Sequence, residues 1–511
     1  MNPNITTDTL DLARAALGNP NDDIARTAGF NQPGNATSGL IGYDLEAPAK
    51  HMIPIITPLR NKIPRNATGY GTQANWQVIN GINTTNLRIG VSEGNRGGAI
   101  AFSTYRAYAQ FVECGLENFV TFKADMASKN FMDIKSEAQM QLLWSLMIQE
   151  EFLDLGGIGT PGNALGQTGT PTVSDIGSGG SLPTGTAYYV GCVALGLAGY
   201  QQLAGTNMGQ TGQSVNAAAF TTGLQQVIAR TNMDGTTDNI NGGTAIPSAA
   251  LGTRTTGASS DSLKASVTAI PGAVAYAWYW GTTSDGSGCY LGAVTPTPYV
   301  TITAVASSTA QKFNALAATD NSYCQLEYDG MIAQITNSNS GGYVSAVNGV
   351  LSTDNGGSVS QLTAAFQYMF DVYRTGPDTI YVNSQQQKDM TAIAISNGSA
   401  PIFRFNMDNG GNKIDAGAVL GSILNPFTGK LVNIEVHPNM PPGTMLLWSN
   451  SVPYPLNDVG AIVQKKCRRD YYSIEWPINK RRYEYGTYFD GVLQCYFPPA
   501  FGVINCIAAG H

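Results

Sequence analysis

Leu153-Asp154-Leu155-Gly156-Gly157-Ile158-Gly159, a helix end with a Gly-rich exit, decides how this chain is built. Its counterpart is Asp329-Gly330-Met331-Ile332, an apolar restart far downstream. From Leu155 to Cys324 there is no Glu and no His, and the only basic residues are Arg230, Arg254, Lys264 and Lys312. On both sides the chain turns aromatic, charged and rich in motifs. This is the pattern of one domain inserted into a loop of another, and the two have separate jobs.

The residues leading into that exit carry the strongest helical pattern in the chain. Ile134, Ala138, Leu142 and Leu146, flanked by Leu143, Met147 and Ile148, fall on one broad face over 133–155. Asp133 is placed to cap the start and Gly156-Gly157 to stop the end. At about 22 residues the helix is roughly 33 Å long, which makes it a spine rather than a connector.

The 511 residues allow two to four domains. Hydrophobic residues make up 43%, enough to bury real cores, while charged residues reach only 12%, about half the usual share of roughly 25%. Such a chain either wears an uncharged polar surface or hides much of its surface in an assembly. A net charge of −7 argues against an electrostatic grip on nucleic acid. The start of the chain lacks the basic, apolar pattern of a secretion signal, and no apolar run has the length of a membrane span. The 7 cysteines are scattered without a CxxC pair, so reduced thiols are expected rather than disulfides or zinc. With Met1 at one end and His511 at the other, no removed pro-segment is expected.

Before the spine, residues 1–66 read as an arm. A short helix is expected over Asp8–Leu17. Ile53-Pro54-Ile55-Ile56-Thr57-Pro58-Leu59-Arg60 reads as extended, with isoleucines that need a partner. Residues 67–120 read as a long hairpin: Ala74–Val78 and Tyr105–Phe111 alternate, and the tip between them is polar and punctuated by glycine. A lone hairpin is not stable in water, so this one must lie on something else.

The insert, 168–319, reads as all-β. Leu263–Ala269 alternates and is followed by a Pro271-Gly272 turn; Val274–Trp280, Tyr299–Thr303 and Thr186–Leu195 are further strands. Short strands around a Trp-bearing centre suggest a sandwich. Gly199–Gly257 gives no pattern. After the insert, Leu362, Phe366, Met369 and Tyr373 mark a helix ended by Gly376-Pro377, and Thr379–Val382 a strand. Ser384-Gln385-Gln386-Gln387 is a capping box opening a second helix that ends at Asn397-Gly398. Val432–Val436 and Thr444–Trp448 are expected to pair across Pro441-Pro442-Gly443. The last fifty residues are aromatic strands, around Tyr471–Trp476 and from Tyr483 onward.

No catalytic constellation is present. The histidines are His51, His437 and His511; there is no GxSxG, HExxH or Walker sequence, no EF-hand loop, and no lysine following the Gly-rich run Gly177–Gly185. The chain is therefore expected not to be an enzyme, with no catalytic residue, cofactor or metal. Two basic clusters, Lys465-Lys466 with Arg468-Arg469 and Lys480-Arg481-Arg482, flank the Tyr471–Trp476 strand. They suit either single-stranded nucleic acid, through interleaved tyrosines, or acids on a neighbouring chain, which the acidic balance favours.

Taken in order, several passages resemble the major capsid proteins of tailed bacteriophages of the Hong Kong type. They are Ile55–Arg60, Gly90-Val91-Ser92-Glu93-Gly94-Asn95-Arg96, the spine helix with its Gly156–Gly159 exit, Asp329–Ile332, Pro438–Gly443, the Tyr471–Gly486 strand pair and Tyr496-Phe497-Pro498-Pro499. The resemblance covers about 50–165 and 325–510; the insert resembles an immunoglobulin or fibronectin type III-like module. It implies an α+β fold of N-terminal arm (1–66), extended-loop hairpin (67–120), peripheral domain with spine helix (121–167), Ig-like sandwich insertion (168–319), axial domain (320–460) and peripheral return strands (461–511). It implies a structural subunit that assembles into hexamers and pentamers of an icosahedral head around double-stranded DNA. That subunit belongs to the virion and is assembled in the bacterial cytoplasm without a membrane. The implied partners are copies of itself, a cement or decoration protein, a portal and a scaffold, with DNA met only non-specifically. Inter-subunit contacts are expected at Ile55, Arg60, Arg88, Glu93, Arg96, Lys480, Arg481 and Arg482. Some members of that family join loop to neighbour through a lysine–asparagine bond, and here no lysine lies between Lys62 and Lys123. The alternative is a virion or cell-surface adhesin whose β-module binds glycans.

Overall fold

The computed structural model describes residues 47–82, 88–129, 131–204, 223–354, 358–397, 406–407, 414–415, 419–455 and 457–510. The expected helix over Asp8–Leu17 lies outside them, as does Gly398. The chain divides into two compact units. The smaller comprises Met1–Met52 with Lys123–Ile134 and holds all but the first residue of the helix Phe122–Ala127. The larger comprises Ile53–Phe122 with Lys135–His511.

The long helix runs from Ile134 to Gly156, all but its first residue in the larger unit, as its sequence period dictates. Leu146, Phe152 and Leu155 enter a core with Phe489, Val492 and Leu493. Those partners belong to a four-stranded sheet ordered Arg65–Asn66, Val463–Glu475, Arg482–Cys495, Val112–Thr121. The short arm strand runs parallel to its neighbour, placing Arg65 opposite Lys465. The arm is not extended throughout: Pro58–Lys62 forms one helical turn. Proline at the first helical position has no N–H to lose there and a φ already suited to the helix.

The hairpin pairs Gln73–Ile82 with Phe102–Gln110, with Trp76 opposite Ala107 and Val78 opposite Tyr105. Its base is fixed to the sheet end: the Tyr105 hydroxyl donates to the Tyr496 carbonyl at 2.6 Å, and Trp76 meets the Tyr496 ring edge-on. The distal part has no such cover among the described residues. Ile82 is 77% exposed, Phe102 68%, and Ile100 67%.

The chain leaves the long helix and returns side by side. Gly330 N–H donates to the Gly157 carbonyl at 2.9 Å, and Cys324 N–H to the Ile158 carbonyl at 2.8 Å. Asp329 Oδ1 accepts from the N–H groups of Gly159 and Thr160 at 2.9 and 3.1 Å. This close approach explains the glycines. A Cβ on Gly157 would stand 2.5 Å from the Tyr328 carbonyl oxygen, and one on Gly159 would stand 2.2 Å from that of Glu327.

Between these crossings lie two antiparallel sheets. One has three strands, Tyr299–Ile302, Leu263–Ser266 and Thr172–Asp175; the other has four, Cys289–Thr295, Ala275–Gly281, Ala187–Leu195 and Gly252–Thr255. Leu263, Ala265, Val300 and Ile302 of the first share an apolar cluster with Val190, Cys192, Tyr276 and Trp278 of the second. The four-stranded sheet is covered on its other face too, where Tyr279 and Leu291 pack with Leu203 and Leu224. That is why every residue of Ala275–Gly281 is buried, a run and not an alternation. From the described part of the patternless stretch, helix Leu197–Ala204 and Leu224 supply this cover, and the hairpin Val227–Thr231/Thr237–Asn241 follows them in the chain. The insert is not an isolated bead. Ala333 and Cys506 join its cluster, and the Asn505 side chain donates to the Ala273 carbonyl at 3.2 Å.

The rest is a six-stranded mixed sheet ordered Tyr343–Gly349, Gly502–Ile507, Met445–Trp448, Thr379–Val382, Leu431–Val436, Ser422–Leu424, with helices Ser360–Tyr373 and Ser384–Asn397. Four expectations change here. The strands 431–436 and 445–448 do not pair; Thr379–Val382 lies between them, parallel to one and antiparallel to the other. The connection over 437–444 is longer than a tight hairpin turn and leaves a slot one strand wide. The first helix stops at Arg374, held left-handed at φ 56°, ahead of Gly376. The second opens on Asn383, whose side-chain oxygen accepts the Gln385 N–H at 3.0 Å, not on a Ser384 box. The last strand, Gly502–Ile507, expected among the peripheral return strands, lies in this six-stranded sheet.

Candidate functional site: a buried charge cluster on the long helix

The long helix ends with three acids, Glu150, Glu151 and Asp154, all buried with 0% exposure. Acids near a helix C-terminus face the negative end of the dipole, and burial adds a desolvation cost. Both penalties are answered by partners brought from far along the chain.

Glu151 caps the arm. The Pro58–Lys62 turn has no cap from the Thr57 side chain, so its first N–H groups need acceptors. Leu59 N–H donates to Glu151 Oε1 at 2.9 Å, and Arg60 N–H to Oε2 at 2.7 Å. The carboxylate thus sits at the positive end of the arm turn. It takes a third donor from His437, Nε2 to Oε1 at 2.5 Å. His437 Nδ1 accepts the Asn439 N–H at 3.1 Å, which fixes the imidazole as the neutral Nε2–H tautomer. One carboxylate ties together arm, long helix and the loop that skips a strand.

Glu150 faces the cations. Arg60 Nε donates to Oε2 at 3.1 Å, Arg65 Nη1 and the Tyr471 hydroxyl make close bonds to Oε1 and Oε2, and Lys465 Nζ lies 3.3 Å from Oε1. Arg65 also pairs with Asp470, Nη2 to Oδ1 at 2.6 Å, and stacks 4.4 Å over the Tyr471 ring. Burial raises the Glu150 pKa, but Lys465 and Arg65 more than reverse it and hold it at about 2. Burial likewise lowers Arg65, and Asp470 and Glu150 outweigh that and raise it.

Asp154, one turn on, contacts Lys465. The Lys465 ammonium, 1% exposed, bonds to Asp154 Oδ1 and donates to the Tyr328 hydroxyl at 2.6 Å; that hydroxyl donates to the same Oδ1 at 2.9 Å. Asp154 Oδ2 is buried and has no hydrogen-bond partner among the described residues. Burial, with Glu150 beside it, pushes Asp154 up to about 6 despite Lys465. No carboxylate oxygen of the three helix acids meets solvent, so the cluster is a joint inside the protein and not a site for a diffusing substrate.

The expected contact residues divide. Arg60 belongs to this cluster and is engaged within its own chain. Arg482 is engaged too, donating to Glu484 Oε1 at 2.5 Å and lying 4.6 Å over the Phe119 ring. Ile55 is half-buried, while Arg88, Glu93, Arg96, Lys480 and Arg481 are exposed. The first basic cluster splits by strand alternation: Lys465 points into the core, and Arg468 bonds to Asp490 at 2.5 Å and reaches Glu113 at 3.3 Å. Lys465 is therefore not part of any surface for nucleic acid. His437, one of the three histidines of the sequence, has Glu151 as its partner.

Sequence reasoning missed the three acids. The usable signal was their position, ionisable residues crowded into the last apolar turns of a helix whose dipole opposes them. For Lys465 the signal was its placement between Val463 and Cys467 on one strand face.

Among the described residues no helix is long and apolar enough to cross a membrane. No protein-family model matches the chain. No curated protein matches it. Solved structures do. The capsid of Myoviridae phage XM1 matches over 93% of this chain and 99% of its own, at 11% identity and TM-score 0.39. The capsid of a native GTA particle matches over 93% and 98%, at 8% identity and TM-score 0.39. The capsid of cyanophage P-SCSP1u matches over 92% and 93%, at 8% identity and TM-score 0.36.

Proposed function

We propose that this chain is a structural shell subunit, the major capsid protein of a tailed-phage head, assembling into hexamers and pentamers around packaged double-stranded DNA. The observation that carries the reading is the hairpin. A two-stranded ribbon is marginal in water, and this one carries exposed Ile79, Ile82, Phe102 and Tyr108, with Ile89 and Ile100 exposed in the tip. Apolar surface of this extent on one projecting element marks a protein contact. In a shell, each copy's hairpin lies on the next copy. The order of the sequence motifs supports the same reading, and so does the low charge, which suits a perimeter held in interfaces.

In this reading the four-stranded sheet with the long helix is the peripheral domain and the six-stranded sheet the axial domain. The two-sheet insert is an Ig-like module displayed outward for decoration, stabilisation or adhesion. The subunit is not an enzyme. Arg88, Glu93 and Arg96 at the tip and Lys480 and Arg481 at the strand turn make the contacts between copies. A cement protein, portal and scaffold complete the particle, which belongs to the virion and forms in the host cytoplasm. Velocity sedimentation tests the reading. The parent chain should run as capsomers or shells, and a chain with Ile82→Asp and Phe102→Asp should run at subunit size. A parent that stays a single subunit under all assembly conditions, or a variant that assembles normally, would contradict it.

A further inference from the structure

We propose that Lys465 and Asp154 become joined by an intramolecular isopeptide bond between strand Val463–Glu475 and the long helix. The inference rests on the geometry of the cluster and not on the shell reading.

Four observations point to a condensation site rather than a resting ion pair. The amine nitrogen and the carboxyl group touch, and both side chains are buried, 1% and 0% exposed. The amine sits in an aromatic walled space, 4.0 Å from the centre of the Tyr328 ring and 5.8 Å from that of Phe489. The Tyr328 hydroxyl bridges the reacting atoms, accepting from Nζ and donating to Oδ1. Asp154 Oδ2 has no donor among the described residues, a costly state for a buried carboxylate oxygen and a milder one for an amide carbonyl.

The step balances without any co-reactant. Within the contact pair, a proton passes from the Lys465 ammonium to Asp154 Oδ1, giving a neutral amine and a neutral acid. The raised proton affinity of Asp154, due to burial and the neighbouring Glu150 charge, favours this form. The Nζ lone pair attacks Cγ, and the electron pair of the Cγ–Oδ2 double bond moves onto Oδ2. A proton leaves nitrogen through the Tyr328 hydroxyl to Oδ1. The Cγ–Oδ1 bond breaks, Oδ1 departs as water, and Oδ2 becomes the amide carbonyl. Glu150, ion-paired with Arg60 and Arg65, steadies the positive nitrogen of the intermediate without taking its proton. Burial disfavours re-entry of the water that would reverse the step.

The product removes two opposite charges from the core and leaves Glu150 to its two arginines. It also closes a covalent ring spanning 311 sequence positions, which takes in the two-sheet insert and all but the last strand of the six-stranded sheet. A pull on either would then be carried by a bond between helix and strand.

The test is the intact mass of the denatured wild-type chain, from soluble subunits and from assembled particles. A deficit of about 18 Da, one water, is expected against the mass of the sequence, with a branched peptide joining the residues around Asp154 to those around Lys465. Lys465→Arg keeps the charge and should restore the full mass. Tyr328→Phe should leave a slowly closing mixture, and closure at the parent rate would overturn the relay. The full sequence mass in both wild-type samples, or a deficit that persists in Lys465→Arg, would overturn the bond itself.

Discussion

Replacing Glu151 with alanine removes one carboxylate and strands three buried donors: the N–H groups of Leu59 and Arg60 and the Nε2–H of His437. Each unsatisfied buried donor costs roughly 1–3 kcal/mol. Arg60 is partly exposed and water can reach its N–H, so its share falls at the low end. The sum is about 4 kcal/mol, a large part of the roughly 5–15 kcal/mol that holds an ordinary domain. The loss is local, because all three donors lie where arm meets helix and loop. Hydrogen exchange of peptides covering 53–66 is the direct assay. At about 1.4 kcal/mol per factor of ten, the Leu59 amide should exchange roughly a thousandfold faster in Glu151→Ala. Peptides from the two-sheet insert should not change. Glu151→Gln keeps one acceptor oxygen but turns an N–H₂ toward a donor, and should fall between. If Glu151→Ala exchanges over 53–66 at the parent rate, the carboxylate is not what holds the arm, and the account of the cluster fails.

Four further outcomes follow from the same structure. Glu150 is held at about 2, below its ordinary 4.5, so its contribution is complete above about pH 4.5 and is lost as pH falls toward 2. An acid titration by circular dichroism should show a loss of stability in that window that Glu150→Gln flattens, and identical acid curves would refute it. Glu93→Arg should leave a soluble subunit but impair assembly, since the tip is exposed; normal particles by light scattering would remove the tip from the interface. Replacing 168–319 with a short Gly-Ser link should still give closed particles, because entry and exit run side by side. They should unfold at lower temperature, because Ala333 and Cys506 lose their cover; an insoluble product from a soluble parent would refute a separable module. Boiled particles on a denaturing gel should give one band near the chain mass of 53.9 kDa, since the hairpin has no lysine to join to a neighbour; a ladder of higher bands would contradict this.

Much of the fold was legible because it is written in local periods. The long helix, the two hairpin strands and the strands around Trp278 each follow from apolar spacing within a few residues. Pairings that depend on what slips between two elements were not legible. The strands at 431–436 and 445–448 look like hairpin partners in sequence, and only the insertion of 379–382 between them separates the two. The cluster was hidden for a related reason. Its cations come from Arg60 and Arg65 in the arm and from Lys465 near the other end of the chain, and charged residues read locally as a solvent face. Lys465 sits in a run of basic residues that looked like a surface patch, yet strand alternation turns it alone into the core. The GGIG exit was recognised as a boundary, but its cause, two backbones crossing too closely for a Cβ, is visible only when the returning chain is in place.

The central claim is that copies of this chain cover one another's hairpins in a closed shell. Electron cryomicroscopy of the particles formed by the purified chain tests it most directly. The account predicts polyhedral shells in which the ribbon 73–110 lies on a neighbouring copy, burying Ile82, Ile100 and Phe102. Fibres, discrete monomers, or shells in which that ribbon projects freely into solvent would contradict it.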